Sequence, residues 1–258
     1  MVVWDEERLL ALEVDAIHGL VPDSGNPPAL RDETMLAVWA WSPRARLLAL
    51  GPGVGCPDRV DDARETNGPG QAPGAPETYS PGLVPGAVAR IAAALGDRAG
   101  AVEGGPCWLF PARLAVSVPS PLPVLVSTAE GRAVARRLDR PANWGACEWA
   151  ELIGGDLGEW AMAVHGREPV SICHTPAANG IAAEAGIWTR PDFRGRGIAT
   201  ACVAAWSERE RHTKDVLFYS TTAANHASQS VARALGLVPL GWIWRVRRAE
   251  GRQAAQTG

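Results

Sequence analysis

Trp188-Thr189-Arg190-Pro191-Asp192-Phe193-Arg194-Gly195-Arg196-Gly197-Ile198-Ala199-Thr200 is the stretch on which the reading of this chain turns. The apolar run Ala182 to Thr189 that leads into it has strand length, and Gly197 to Arg211 beyond it has helical character, with small residues Ala199 and Thr200 in the first turn. The chain therefore leaves a strand, turns through Gly195 and Gly197, and enters a helix. Such a turn presents several backbone N–H groups at the positive end of a helix, where a diphosphate can sit. Glycine lets the backbone approach closely. Arg194 and Arg196 add charge-assisted hydrogen bonds to phosphate, and Arg190 stands near enough in sequence to join them. The short pattern Arg-x-x-Gly-x-Gly/Ala arises roughly once by chance in a chain of this composition, so its weight lies in the flanking strand and helix.

Working outward, Glu159 to Val164 and Val170 to His174 read as a hairpin turning at Gly166, with Ala182 to Thr189 as a third strand. After the helix come a strand at Val216 to Ser220, a helix at His226 to Leu235 ended by Gly236, and a last strand at Val238 to Val246. Upstream, Val124-Leu125-Val126 is a short strand, and Ser127 or Thr128 caps a helix running through Leu138. Nearer the N-terminus, a helix is expected over Asp5 to His18, strands over Met35 to Trp41 and Arg46 to Leu50, and a helix over Pro85 to Leu95. Gly51 to Gly82 is dense in Gly and Pro and reads as a long surface loop, and residues from Gln253 onward read as a tail. The cluster Val118-Pro119-Ser120-Pro121-Leu122-Pro123 marks a domain boundary, dividing an N-terminal α/β domain (1–120) from a C-terminal domain (121–258). The fold class is mixed α/β, a mostly antiparallel sheet flanked by helices.

With 258 residues, 47% hydrophobic and 21% charged, the chain can bury a substantial core. Its formal net charge of −3 gives no overall basic field, so no nucleic-acid partner is expected. No apolar stretch approaches bilayer-spanning length and the first residues lack a basic region followed by an apolar one, so no membrane partner and a cytoplasmic location are expected. The five cysteines are scattered and never form Cys-x-x-Cys, which argues for buried thiols rather than a disulfide framework, and no metal site is expected.

The residues from Trp188 to Ala199 resemble the cofactor signature of the GNAT acetyltransferase superfamily. The run Asn225-His226-Ala227-Ser228-Gln229-Ser230-Val231-Ala232-Arg233-Ala234-Leu235-Gly236-Leu237 resembles its second signature, in which Asn precedes a helix ending in a Leu-Gly turn. Together the resemblance covers roughly Ser127 to Val246, and it implies acetyl-CoA as cosubstrate and N-acetylation of a small-molecule amine. It also implies that residues 1–120 are a substrate-shaping or degenerate GNAT-like half. In this family the strand before the turn splays from its neighbour and pairs with the pantetheine arm, which by resemblance assigns that role to Ile187, Trp188 and Thr189. The turn residues Arg194, Gly195, Arg196, Gly197, Ile198, Ala199 and Thr200, with Asn225 and Ser228, complete the implied cofactor set. A homodimer is compatible with the sequence.

The resemblance implies direct attack by the amine, which requires a base. Glu184, five residues before Thr189 on the same strand, is the carboxylate placed for it; the other reading is a solvated or ion-paired strand residue. His174 is the rival base, its other reading being structural. Many family members place a Tyr seven residues after the Asn to protonate the departing thiolate, but that position here is Ala232. Tyr219, Ser220 and Ser228 are the hydroxyl candidates, Ser220 and Tyr219 foremost, and strand alternation puts those two on opposite faces.

Eleven tryptophans are present, and Trp39, Trp41, Trp108, Trp144, Trp149, Trp160, Trp188, Trp242 and Trp244 are either core or domain-interface residues or a platform for a sugar or cation. The loop carboxylates Asp58, Asp61, Asp62 and Asp156 are either solvated or directed at a polycation. The layout of a variable N-terminal half before Glu-Ala-Gly-Ile-Trp-Thr is similar to a bacterial group that includes kasugamycin-type aminoglycoside 2'-N-acetyltransferases, which implies an aminoglycoside acceptor and antibiotic resistance; the other readings are acetylation of an amino acid, a polyamine or a protein N-terminus, and a CoA-binding protein without turnover.

Overall fold

A computed structural model describes residues 4–22, 24–55, 84–114 and 119–249. The elements follow in the order α1 (Glu6–His18), β1 (Met35–Trp41), β2 (Arg46–Leu50), α2 (Gly86–Leu95), β3 (Ala99–Leu109), β4 (Val124–Val126), α3 (Ala129–Ala135), α4 (Ala146–Gly154), β5 (Trp160–His165) and β6 (Glu168–Ala178). Then come β7 (Ala182–Thr189), α5 (Ile198–Glu210), β8 (Val216–Ser220), α6 (His226–Ala234) and β9 (Val238–Arg248). The residues from Cys56 through the end of the Gly- and Pro-rich loop, with Asp58, Asp61 and Asp62, lie outside the described residues, as do Val118 and the tail from Gln253.

The chain packs as two compact units. The first comprises Met1–Pro106, Thr222–Ala224 and Gly241–Gly258. Its helix α1 begins where Asp5 Oδ1 accepts the Arg8 N–H at 2.8 Å, satisfying one of the donors a helix start leaves open. Strand β1 is buried along its whole length and lies antiparallel between β2 and β9, with Trp39 opposite Trp244 and Trp41 opposite Trp242. Val88, Ile91 and Leu95 recur at helical spacing on α2 and bury that face against Leu36, Trp39, Trp244 and Val246.

The second unit comprises Cys107–Thr221 and Asn225–Leu240. The division falls at Pro106, inside β3, whereas the breaker cluster marks position 120. Strands β4, β5, β6 and β7 run antiparallel in sequence order, β7 and β8 are parallel, and the end of β3 (Cys107, Trp108, Leu109) pairs antiparallel with Ser220, Tyr219 and Phe218 of β8. The parallel pair needs a crossover, and α5 supplies it. Alternation divides the side chains between two layers. Ala161, Ala163, Cys173, Ala183, Ala185, Leu217 and Tyr219 meet α5 and α6 through Ile198, Cys202, Trp206, Ala232 and Leu235. Trp160, Met162 and Ile172 point the other way, onto Ala135 of α3 and Trp144, Trp149 and Leu152 around α4.

Most of the expected elements form within a residue or two of their expected ends. Helix α3 stops at Ala135 instead of Leu138, because the amides of Arg137 and Leu138 turn back three residues to Val134 and Ala135, and Pro141 follows closely. Two elements had no counterpart in the sequence reading, β3 and α4. No helix among the described residues is long and apolar enough to cross a membrane.

Candidate functional site

The register of β7 shows where a cleft opens. Its parallel pairing with β8 runs over Ala182↔Val216, Ala183↔Leu217 and Glu184↔Phe218 and then ends, although β7 continues to Thr189 and β8 to Ser220. On the other side β7 stays paired with β6 up to Ser171↔Thr189. Ile181 C=O accepts from Val216 N–H of β8 and Arg190 N–H donates to Val170 C=O of β6, so by alternation Ile187 and Thr189 turn their amides toward the parted β8 side. The Trp188 carbonyl is turned to β6 instead, where Ser171 Oγ donates to it at 3.2 Å. The same hydroxyl lies 2.8 Å from Thr189 Oγ1, so Ser171, unremarked in the sequence, fixes the end of the strand.

Beyond Thr189 the turn is braced by its own side chains. Pro191–Phe193 make one 3-10 turn, and Phe193 is buried beneath the guanidinium groups of Arg190 and Arg196, 4.5 and 5.0 Å from its ring centre. Arg194 Nε donates to Thr189 C=O at 3.1 Å and an Arg196 amine donates to Asp192 C=O at 2.8 Å. Arg190 departs from its expected part. Asp192 grips it through two hydrogen bonds of 2.8 and 3.0 Å and Glu168 pairs with it as well, so its charge is already matched by two carboxylates. Those bonds, Asp192 first, hold the Asp192 carboxyl below and the Arg190 guanidinium above their ordinary ranges.

Gly195 and Gly197 both have φ near +70° (73° and 75°), a backbone region that penalises any Cβ, and a Cβ built at either would meet no atom within 4 Å. Gly197 is the N-cap of α5, and no side chain caps that helix. The first-turn amides of Ile198, Ala199 and Thr200 therefore lack a side-chain cap and are approached over glycine, the kind of helix start at which an anion can be held. Asn225 caps α6 by accepting the Ser228 N–H at 3.1 Å, so its side chain holds the second helix start in place.

The catalytic candidates divide between the two faces of the sheet. Glu184 is 6% exposed, and its Oε1 accepts both the backbone N–H of Ser220 at 2.6 Å and the Ser220 hydroxyl at 2.8 Å. A carboxylate thus stands in for the strand carbonyl that β8 lacks once β7 has turned away. His174 shares that face two rungs along, opposite Gly186, with its ring edge-on to Trp144 at 5.1 Å. Burial keeps His174 below the usual histidine range, with Glu148 and the Gly186 backbone acting the other way. Gly186 is glycine for a steric reason, since a Cβ there would come within 2.9 Å of His174 Cε1 and 3.0 Å of Pro176 Cγ.

Tyr219 points to the other face. It is 1% exposed, packs edge-on to Trp108 at 6.2 Å, and shares the α5/α6 core with Ala232. Burial raises its hydroxyl far above the ordinary phenol range, while the nearby Ser228 hydroxyl acts to lower it. Cys173 and Cys202 lie in the same core, and burial pushes both thiols up, Cys202 to about 11. Of the other thiols, Cys107 is buried and Cys147 exposed.

Of the nine tryptophans singled out as core or platform, seven are buried, and only Trp188 and Trp242 are half-exposed. The core reading holds for those seven. Asp156 is exposed beside the end of α4, and among the described residues no three His, Cys, Asp or Glu side chains gather as a metal site would require.

Residues 125–238 match the family model of the acetyltransferase (GNAT) domain. No curated protein sequence matches the chain. Among solved structures, a protein assigned to the GNAT family from Novosphingobium aromaticivorans is 16% identical over 59% of this chain and 67% of its own, with a TM-score of 0.43. A tandem GNAT protein from the clavulanic acid biosynthesis pathway is 20% identical over 67% of this chain and 60% of its own, with a TM-score of 0.45. AAC(6')-Iy, solved with a bisubstrate analogue joining CoA to acetylneamine, is 20% identical over 45% of this chain and 90% of its own, with a TM-score of 0.35.

Proposed function

We propose that this chain, an acetyltransferase that uses acetyl-CoA and carries a GNAT domain over residues 125–238, acetylates a primary amine of a small molecule. An aminoglycoside-type antibiotic, with resistance as the consequence, is the acceptor we place first. The observation that carries the proposal is a buried carboxylate, Glu184, at the point where β7 and β8 part, on the same strand whose far end leads into the uncapped start of α5.

When bound, acetyl-CoA supplies an acetyl group already activated as a thioester. The amides from Gly195 to Thr200 would hold its diphosphate, the spare N–H groups of Arg194 and Arg196 would add charge, and the backbone of Ile187 and Thr189 would line its arm. Trp188 contributes its backbone to the β6 side, and Asn225 and Ser228 set the helix flanking the cleft.

A primary amine with a pKa of roughly 8 to 10.5 is mostly protonated at neutral pH, so a base must relieve it before its nitrogen can bond to the acetyl carbon. Glu184 takes that proton, and His174 on the same face is its neighbour in that layer. As the carbon–sulfur bond breaks, the sulfur must receive a proton. Tyr219, buried on the α5/α6 face with the Ser228 hydroxyl beside it, is the donor we assign. Residues 1–120 are assigned to acceptor selection.

Thiol release from acetyl-CoA against a panel of aminoglycosides, polyamines, amino acids and peptides tests the proposal. Turnover above background with an aminoglycoside is expected; turnover with another class alone would move the acceptor, and none with any amine would overturn the proposal.

A further inference from the structure

We propose that Ser220 is a positioning residue for the carboxylate of Glu184, and not the proton donor for the leaving thiolate. The inference rests on the reading of Glu184 as base. A carboxylate can only accept, so the 2.8 Å contact commits the Ser220 hydroxyl proton to Glu184 Oε1. The Ser220 backbone N–H is committed to the same oxygen at 2.6 Å. Both donors come from one residue, at the rung after Phe218 where β8 has lost β7 as a partner.

Ser220 is itself held from behind, because β3 closes on the far side of β8 with Cys107 opposite Ser220. The carboxylate is thereby pinned to a strand end with little freedom to move. Two donors on one oxygen favour the ionised form, the form a base must have before it takes a proton. His174 of β6 shares the face of Glu184 and is kept below the usual histidine range by burial, whereas Cys173 and Tyr219, within electrostatic reach of Glu184, are raised by it. Tyr219 lies on the opposite face, buried with the Ser228 hydroxyl beside it.

The test is the pH profile of kcat/KM for Ser220→Ala and Ser220→Thr beside the natural chain and Glu184→Gln, each checked for folding by thermal denaturation. Ser220→Ala removes one of the two donors. The acid limb of kcat/KM is expected to move up by about one pH unit. At pH values below that limb kcat/KM should fall about tenfold, about 1.4 kcal/mol, with KM for acetyl-CoA unchanged. Ser220→Thr, which keeps the hydroxyl, is expected to restore the limb. An acid limb that stays in place in Ser220→Ala, whatever the loss of rate, would overturn the positioning role even if Glu184→Gln is inactive. Full activity in Glu184→Gln would instead remove the base reading and this inference with it.

Discussion

Replacing Gly197 by alanine tests the cradle at the start of α5, because the structure separates the cost of the change into two parts. Gly197 has φ 75° and ψ −1° and nothing within 4 Å of a built Cβ, so the unliganded protein pays only for a left-handed backbone, about 1–2 kcal/mol. For a protein of this size each kcal/mol moves Tm by about 2–4 °C, which gives a fall of about 2–8 °C. Gly236, at the far end of α6 from Asn225, is a matched control: its φ is 65° and a Cβ there also meets nothing within 4 Å. Gly236→Ala should therefore lose a similar amount of Tm. The two variants should part when acetyl-CoA is titrated calorimetrically. Relaxing the left-handed strain in Gly197→Ala turns the first-turn amides of α5 out of place, so affinity should drop at least about tenfold, 1.4 kcal/mol. Gly236→Ala should bind as the natural chain does. Equal acetyl-CoA affinity in all three proteins would refute the assignment of this turn to the diphosphate.

Further outcomes follow from other sites. Glu184→Gln keeps an amide oxygen for both Ser220 donors, so Tm should change little while kcat falls about 10²- to 10⁴-fold, the usual range for a lost general base; wild-type rates at every pH would clear Glu184 of that role. In the first unit, His18 is buried, its Nδ1 is 2.8 Å from Asp32 Oδ2, and its Nε2 accepts from Arg245 Nε at 3.1 Å. Burial lowers its pKa below 6.5 against the pull of Asp32, with Arg245 and Arg247 adding to the lowering. The unfolded chain therefore takes up the proton first, and the stabilisation, full above about pH 6.5, is lost as pH falls below it. His18→Gln, which retains a donor and an acceptor, should flatten the dependence of Tm on pH between 7.5 and 5; an unchanged slope would count against it. Gly186→Ala should cost about 1–3 kcal/mol by overpacking against His174 and Pro176, and an unaltered thermal midpoint would show that the ring has room to yield.

Legibility in the sequence followed how local each determinant is. The run from β7 through α5, β8 and α6 was readable because alternation, helical spacing, Gly197 and the Asn225 cap all act within a few residues. Strand β3 was not, since Gly100, Gly104, Gly105 and Pro106 read as breakers and only pairing with β8 makes its last three residues a strand. Helix α4 begins at Gly145, where the reciprocal bond from Gly145 N–H to Glu148 Oε2 takes the place of a polar cap residue.

Within the site, alternation already separated Tyr219 from Ser220, but it could not say which of them meets Glu184. That depends on the register of the parallel pair, which sets Glu184 level with Phe218 of β8, while on the other side of β7 an irregularity in β6 between His174 and Ala177 brings Ala177 opposite Glu184. A buried network secures it: Trp206 Nε1 donates to Thr175 Oγ1 at 3.0 Å, Thr175 donates to Glu210, and Glu210 also accepts the Glu159 N–H at 3.1 Å. These residues span more than fifty positions, and no local pattern announces them. Arg190 has a partner the phosphate reading did not count, Asp192 two residues on, with Glu168 beside it.

The most direct measurement is a crystal structure with coenzyme A. It should place diphosphate oxygens about 2.7–3.2 Å from amide nitrogens between Gly195 and Thr200, with the arm beside Ile187 and Thr189. A diphosphate bound anywhere else, with those amides facing only solvent, would contradict the account.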